Sequence, residues 1–438
     1  MADVSTTAAY LLDGSVQRFG HVLIGGSPLK LFRLTPAGSA LVTRLAAGDA
    51  VPRSALVERL LDAGAIHPDP VAADAPFTAD DVTFVVPTLG PPAHVPAGAL
   101  VLVDDGSQPP VAAATVRLSG NCGPAAARNA GLAQVTTPLV GFVDTDVTAP
   151  SDWLVPLLAH FADPRVALVA PRVVSAEQPG RLGAYERARS PLDLGPRPGR
   201  VRAGTRVSYV PAAAIVCRVE ALRAIGGFDS TLRVGEDVDL VWRLGSAGWV
   251  CRYEPSSVVT HAPRSSWAGW WHQRTAYGRS AAALARRHPG ALAPLRISGW
   301  SLAAWAAIAV GRPVAGVALG AGSAAALVPK LPDVPARAAF GLAAWGNLRA
   351  GEQIADTVRR AWWPLLAAAA LRSRTARRVL VASALAARHP IRLADDVAYS
   401  VGVWRGMWTE RTVAPLAPEI RSWPGRSRSA TDEYRRQA

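Results

Sequence analysis

Three short, largely apolar runs constrain this chain most: residues 82–87, 99–103 and 139–143, each of which gives way to a polar loop. Runs of that length without alternation are the pattern of strands buried on both faces, as in parallel sheets. A helix-forming segment at 123–133 lies between the second and third runs. Strands alternating with helices predict an α/β layer with a mostly parallel sheet. Ligands in such sheets bind beyond the carboxyl ends of the strands. There the first run ends in Pro87-Thr88, the second enters Asp104-Asp105-Gly106-Ser107, and the third enters Asp144-Thr145-Asp146. A single aspartate in a turn is ordinary backbone chemistry. Two acidic pairs after adjacent strands exceed what turns require and point to one shared crevice.

A further acidic group follows. Gly226-Gly227-Phe228-Asp229 precedes Gly235-Glu236-Asp237-Val238-Asp239, where a helix is expected from Glu236 with Val238, Val241 and Trp242 turned inward. Acids in a first helical turn suit the macrodipole, so this run alone decides little. The net charge of +14 is carried almost wholly by arginine, since Lys30 and Lys330 are the only lysines among 47 basic residues. Arginine forks pair with phosphates and carboxylates, which points to acidic partners such as nucleotides or anionic lipid. Three cysteines without metal-ligand spacing indicate reduced thiols and exclude a disulfide-built secreted domain. The N-terminal sequence lacks the basic and apolar regions of a signal peptide, so the active part is expected on the cytoplasmic side.

The flanking regions differ from this core. In the first 75 residues, 16–25 alternates like a strand, Gly25-Gly26 supplies a turn, and 29–34 reads as its hairpin partner. Thr35-Pro36 starts one helix to about Ala46, and a second begins near Pro52 and closes at Gly64. This is a small winged-helix-like unit, and residues 21–66 resemble the modules that bind leader peptides of ribosomally made, modified peptides. An acidic, proline-containing linker covers 72–79. At the other end, eleven of fourteen tryptophans lie from Trp267 to Trp423, among alanine-rich runs and arginine clusters. Alanine, leucine and arginine favour helix, and tryptophan beside arginine at apolar helix ends is the composition of a membrane interface. The most apolar stretch, 298–329, is broken by Arg312-Pro313 into pieces shorter than the roughly 20 residues that a span needs.

The motifs Val85-Val86-Pro87-Thr88, Val103-Asp104-Asp105-Gly106-Ser107, Ala127-Arg128-Asn129-Ala130-Gly131, Asp144-Thr145-Asp146, and Gly227-Phe228-Asp229 with Gly235-Glu236-Asp237 together resemble the family 2 glycosyltransferases of GT-A fold. The resemblance covers residues 80–290 and implies an inverting transfer from a nucleotide sugar. It implies Asp237 as general base and Glu236 as a residue orienting the acceptor or the loop. Pro87, Thr88 and Asp105 would receive the nucleobase, and Arg128 the phosphate. Asp146 would ligate a divalent metal, Mg²⁺ or Mn²⁺, with Asp144 near the ribose or a metal-bound water. His261 would stand on the metal or diphosphate or simply fill the core. The domains expected are 1–75 (peptide recognition), 76–290 (catalytic) and 291–438 (helical, membrane-associated).

The processive members of the family carry Gln-x-x-Arg-Trp beyond the base; here Gln273 is followed by Ala276-Tyr277, which argues against a polymer-threading synthase. The order of a small winged-helix-like domain, a GT-A core and a helical tail resembles the mycofactocin-system glycosyltransferases. That resemblance implies UDP-glucose as donor, a peptide-derived acceptor engaged through residues 1–75, and a short β-linked glucose chain as product. A lipid-linked or envelope-glycan acceptor, and a non-catalytic peptide-binding scaffold, remain as alternatives. Nucleic acid is not expected as a partner, because residues 1–75 carry no excess of basic over acidic side chains. The expected location is the cytoplasmic side of the membrane, peripheral or integral.

Overall fold

The computed structural model describes residues 7–71 and 75–421; residues 1–5, the start of the linker and Trp423, all read above, lie outside the described residues. The chain divides into two compact units, one up to Trp270 and one from Trp271.

The first unit opens with a small β/α subdomain. Gln17–Phe19, Val22–Gly25 and Lys30–Arg33 form a three-stranded antiparallel meander. Alternation predicts one strand over 16–25, but Gly20, at φ +57°, turns it into a hairpin of two. Thr35 caps the helix Pro36–Ala46 by accepting the Gly38 amide, and Ser54 caps Ala55–Asp62 by accepting that of Val57. Each cap satisfies an amide the helix itself cannot. The second helix starts later than expected because Val51–Pro52 pairs as a strand with Thr7–Ala8. Leu23, Phe32, Val42, Leu45, Val57 and Leu60 close the subdomain's core.

The remainder of the unit is built on a mixed sheet. In chain order its strands are β1 Val82–Thr88, β2 Leu100–Asp104, β3 Val116–Arg117, β4 Leu139–Val143, β5 Val147–Thr148, β6 Val166–Ser175, β7 Gly199–Arg200, β8 Ala214–Arg218 and β9 Val250–His261. Their spatial order is β3-β2-β1-β4-β8-β6-β9-β5, with β7 also on β9. Strands β2, β1 and β4 are parallel, as the apolar runs predict, and the short β3, which no apolar run announces, pairs parallel to β2. Beyond β4 the sheet is mixed: β8 runs antiparallel to both β4 and β6, while β6 and β9 are parallel. Pro171 lies within β6 and Pro255 within β9, and the β6–β9 register slips between Pro171 and Arg172. A bulge is how a sheet accommodates a proline.

Two helices carry the site. Helix α1, Pro124–Leu132, starts with proline after Gly123 at φ +95°, a position where the missing N–H costs nothing. At Gly131 an added Cβ would lie 2.3 Å from Val85 Cγ1 and 3.1 Å from Val103 Cγ2, so glycine lets α1 lie directly on β1 and β2. Helix α2, Glu236–Ser246, buries Leu240, Val241, Trp242 and Leu244, whereas Val238 is only half-buried. Val82, Phe84, Leu139, Leu157, Phe161 and Val216 belong to the core beneath the sheet.

The second unit is helical. Its helices include Gly299–Ala309 and Pro313–Ala325, parted at Arg312-Pro313 as expected, followed by Ala336–Thr357, Arg374–Leu385 and Pro390–Glu410. By length and composition alone, the stretch Pro313–Lys330 is long and apolar enough to cross a membrane. A π-helical turn, Val358–Trp362, follows the long helix. It sets the buried Arg359 against Asp396, with Nε 2.7 Å from Oδ2, and against the Ser383 carbonyl at 2.7 Å. Arg274 bonds Gln273 at 3.1 Å and pairs with Asp395 at 3.1 Å.

Candidate active site

The loops at the carboxyl edge of β1 and β2 are braced from within. Asp104 is fully buried and accepts the amides of Ser107 (2.8 Å) and Val111 (3.1 Å), so it is spent on the turn. Its neighbour Asp105 is also buried and accepts the amides of Cys122 (2.7 Å) and Gly123 (2.9 Å), which fixes the entry to α1. Pro87 is half-buried. The buried Thr88 donates its hydroxyl to the Gly90 carbonyl at 2.6 Å, and its own carbonyl accepts the Asp105 amide at 2.9 Å. Pro87, Thr88 and Asp105 therefore lie together at the carboxyl edge of β1 and β2.

Arg128 joins the loop after β4 to the first turn of α2. It is 3% exposed. Nη2 lies 2.7 Å from Asp144 Oδ1 and Nη1 2.9 Å from Glu236 Oε1. The guanidinium also sits 5.6 Å over the Phe228 ring. Burial alone would weaken its hold on the proton; the facing carboxylates outweigh burial and raise its pKa. Those carboxylates shift too. Burial, then the neighbouring Asp237 charge, pushes Glu236 up to about 7. Asp237 is raised as well, chiefly by burial, although its Oδ1 accepts the Val238 amide at 2.8 Å and its Oδ2 that of Ala212 at 3.4 Å. Burial likewise raises Asp144 against the pull of Arg128. Two carboxyls thus pair with one arginine while Asp237 stands beside them, and their titrations belong to the group rather than to any single member.

Asp146 stands in a second pair, with its Oδ2 3.3 Å from His261 Nε2. The β5–β9 ladder sets this contact, since Val147 pairs across from His261. Burial would raise the Asp146 pKa, but the bond from His261 outweighs it and holds the carboxyl low. Among the described residues no three His, Cys, Asp or Glu side chains converge closely enough to hold a metal by themselves.

The sequence-assigned residues therefore fall into three places: Pro87, Thr88 and Asp105; Arg128, Asp144, Glu236 and Asp237; and Asp146 with His261. Two contributors went unread. Asn129, beside Arg128, donates to the Phe228 carbonyl at 2.8 Å and accepts the Phe228 amide at 2.9 Å. It thereby pins the Gly227-Phe228 turn that leads to α2. Gly227 sits at φ +70°, and an added Cβ would come 2.5 Å from Asn129 Oδ1. The quoted motifs contain both residues, so their joint presence was the available signal. The second contributor is the backbone of Ala212 and Ala213, which no side-chain pattern announces.

Comparison with known proteins places the chain. The Glycosyl transferase family group 2 profile matches residues 139–387, which include Asp144, Asp146, Asp237 and His261. A pre-mycofactocin glycosyltransferase of Mycobacterium tuberculosis is 38% identical over 452 aligned positions, spanning 92% of this chain and 95% of that protein.

The chain belongs to the group 2 glycosyltransferase family.

Its central sheet with flanking helices is of the GT-A kind, and its likeness to the mycobacterial protein runs through the N-terminal subdomain and the helical unit as well. The succinoglycan biosynthesis protein ExoA of Rhizobium meliloti is 31% identical over 113 residues, 25% of this chain and 34% of that protein. Among solved structures, the mannosyltransferase PcManGT from Pyrobaculum calidifontis, in complex with GDP-Man and Mn²⁺, aligns with a TM-score of 0.43 at 19% identity, covering 77% of this chain and 90% of that one.

Proposed function

We propose that this glycosyltransferase moves glucose from UDP-glucose, with inversion, to a hydroxyl of a peptide-derived mycofactocin precursor and extends it as a short β-linked glucan. The observation that carries the chemistry is the Arg128-centred cluster. It holds Glu236 by an ion pair and, among the described residues, leaves the adjacent Asp237 free of one, half-buried and with raised proton affinity. The acceptor rests on 38% identity across 92% of the chain to a protein named for that precursor.

Asp237 takes the proton of the acceptor hydroxyl as that oxygen attacks the anomeric carbon opposite the leaving group, a role typically contributing about 10²–10⁴-fold. Glu236, fixed by Arg128, orients the acceptor. The same ion pairs occupy Arg128, so we assign it to holding Asp144 and Glu236 rather than to binding phosphate. Asp105 keeps carboxylate lone pairs beyond the two amides that brace it, and these receive a nucleobase N–H beside Pro87 and Thr88. Asp146 and His261, with Asp144 two residues away, offer oxygen and nitrogen donors suited to Mg²⁺ or Mn²⁺. Mg²⁺ in particular usually takes one or two carboxylates and completes its shell with phosphate oxygens and water. When bound, such an ion neutralises charge developing on the departing diphosphate.

Two results test this reading. Asp146→Ala is expected to abolish metal-dependent binding of UDP-glucose in calorimetry; undiminished binding would remove Asp146 from the donor site. Because burial favours the neutral carboxyl of Asp237, the base is available only above the ordinary aspartate range. The acid limb of kcat/KM should then lie above about pH 4, with activity falling as pH drops through it. A limb at or below that value contradicts the assignment.

A lipid-linked acceptor is the second reading. It is favoured by the apolar stretch Pro313–Lys330 and by charge: residues 271–438 carry 24 Lys or Arg against 9 Asp or Glu, while residues 1–270 carry 23 against 24. That excess supports a membrane surface as partner of the helical unit. Transfer to extracted lipid but not to the peptide precursor would replace the first reading by the second.

A further inference from the structure

Residues 206–213 form a strap with no helix or strand of its own, anchored at both ends. At its start Arg206 is gripped by the N-terminal subdomain. Its amide donates to Ser27 Oγ at 2.6 Å, and its guanidinium forks onto Asp13, with Nη2 2.6 Å from Oδ2 and Nη1 3.3 Å from Oδ1. Nη2 also reaches the Pro198 carbonyl at 2.7 Å. Asp13 is itself 4% exposed and bonded to His67 Nε2 at 2.9 Å. At the other end Ala212 gives its amide to Asp237 (3.4 Å) and its carbonyl to Arg128 (3.4 Å), and the Ala213 carbonyl accepts the Asp144 amide at 2.9 Å. Midway, Val207 and Val210 are buried, and the Ser208 carbonyl accepts the Trp242 indole N–H from α2 at 2.8 Å.

We propose that Arg206 is a positioning residue for catalysis: by anchoring the strap on Asp13 and Ser27, the N-terminal subdomain sets the Ala212 backbone against Asp237 and Arg128. This rests on Asp237 being the general base. The bonds at Ala212 are already near the long limit for hydrogen bonds, so a small slip of an unbraced strap releases them. Misplacement of about 1 Å far from the chemistry can cost about 10²-fold in rate. The subdomain has other ties to the sheet. Glu58 pairs with Arg165 at 2.7 Å, Arg53 bonds Asp163 at 3.2 Å, and Asp62 pairs with Arg200. Replacing Arg206 keeps its backbone bond to Ser27 but removes the fork onto Asp13 and the Pro198 contact, which loosens the strap without detaching the subdomain.

The test compares Arg206→Met and Arg206→Lys in the full chain, with two readouts that a mere loss of folded protein would not move. The Trp242 indole N–H resonance, assigned through Trp242→Phe, reports the strap directly and needs no turnover. The acid limb of kcat/KM reports the amide bond on Asp237, whose charged surroundings (Glu236, Arg128, Asp144) are unchanged in the variants. For Arg206→Met the expected result is a shifted Trp242 resonance and a kcat lower by about 10- to 100-fold. Donor KM should stay within about twofold, since the donor residues are untouched. The acid limb should move to higher pH, because a bond that favours the carboxylate is lost. Arg206→Lys, which keeps the charge on Asp13, should recover most of both. An unmoved Trp242 resonance, or a lower kcat with an unmoved acid limb, overturns the proposal. If the wild type transfers no sugar, the proposed function fails while the Trp242 resonance still decides whether Arg206 sets the strap. Should Arg206→Met not fold, the same comparison is made on Arg206→Lys, whose lost fork should give the smaller shift in the same direction.

Discussion

Arg128→Met should cost this enzyme both its fold stability and its activity, and the stability loss should depend on pH. The substitution keeps most of the side-chain volume over Phe228 but removes the cation from between Asp144 and Glu236. Each then lacks its pairing partner, and breaking a buried pair from one side costs about 3–5 kcal/mol. The sign with pH follows from the carboxyls. Glu236 already stands at about 7 with Arg128 present, so without it the folded-state value rises further above the unfolded one. A carboxyl raised in this way penalises the folded state once pH exceeds its unfolded pKa, and the penalty grows until the folded pKa is reached. The Tm deficit of Arg128→Met should therefore be largest near pH 8 and shrink toward pH 5. Adding Glu236→Gln should recover part of it, since the pair is coupled. Equal Tm values for variant and wild type at pH 8 would show that the arginine does not hold the cluster together.

The sequence is legible wherever chemistry requires a side chain at a fixed place. Asp105, Asp144, Asp146 and the Glu236-Asp237 turn could be singled out because carboxylates at strand ends are scarce and costly, and the structure brings Asp144 and Glu236 onto one arginine. Strands β1, β2 and β4 were visible because they are short apolar runs bounded by those loops. Of the outer half only 258–260, the end of β9, reads as a strand, although Val166–Ser175 is as apolar as β1. Its proline reads as an interruption, and only the bulge formed on pairing with β9 accommodates it. The split of 16–25 into two strands hangs on one glycine adopting a left-handed conformation, and alternation alone does not reveal that. Arg128 could be singled out from its motif, but the sequence cannot say that Asp144 and Glu236 pair with it. The strap was least legible. Ala212 and Ala213 act through backbone atoms, and Arg206 is one of many arginines until its partner, 193 positions earlier, is known.

Asp237→Asn is expected to abolish transfer while leaving a well-folded, donor-binding protein, and the two halves of that outcome share one cause. Asparagine keeps the shape and one oxygen, which can go on accepting the Val238 amide in the first turn of α2, while its NH2 cannot accept from Ala212 and gives up only that long, 3.4 Å bond. What it lacks is the capacity to take a proton, so kcat should fall by about 10²–10⁴-fold. Stability should move the other way. In the wild type the Asp237 pKa is raised by burial, so at neutral pH the folded state bears a cost for the ionised form that the unfolded chain does not. That cost is absent below the unfolded pKa and present above it. The neutral amide also relieves the neighbouring charge that helps raise Glu236. The variant should therefore melt at or above the wild-type temperature at pH 8, with the gap closing toward acid. UDP-glucose binding by calorimetry should be unchanged, because the residues proposed to hold the donor lie on the loops after β1, β2 and β4. A catalytically dead, more stable, donor-competent enzyme is what a base held in an unfavourable ionisation state predicts. Near-normal turnover would instead transfer the role to another carboxyl, and Glu236, at about 7 and one residue away, would be the next to replace.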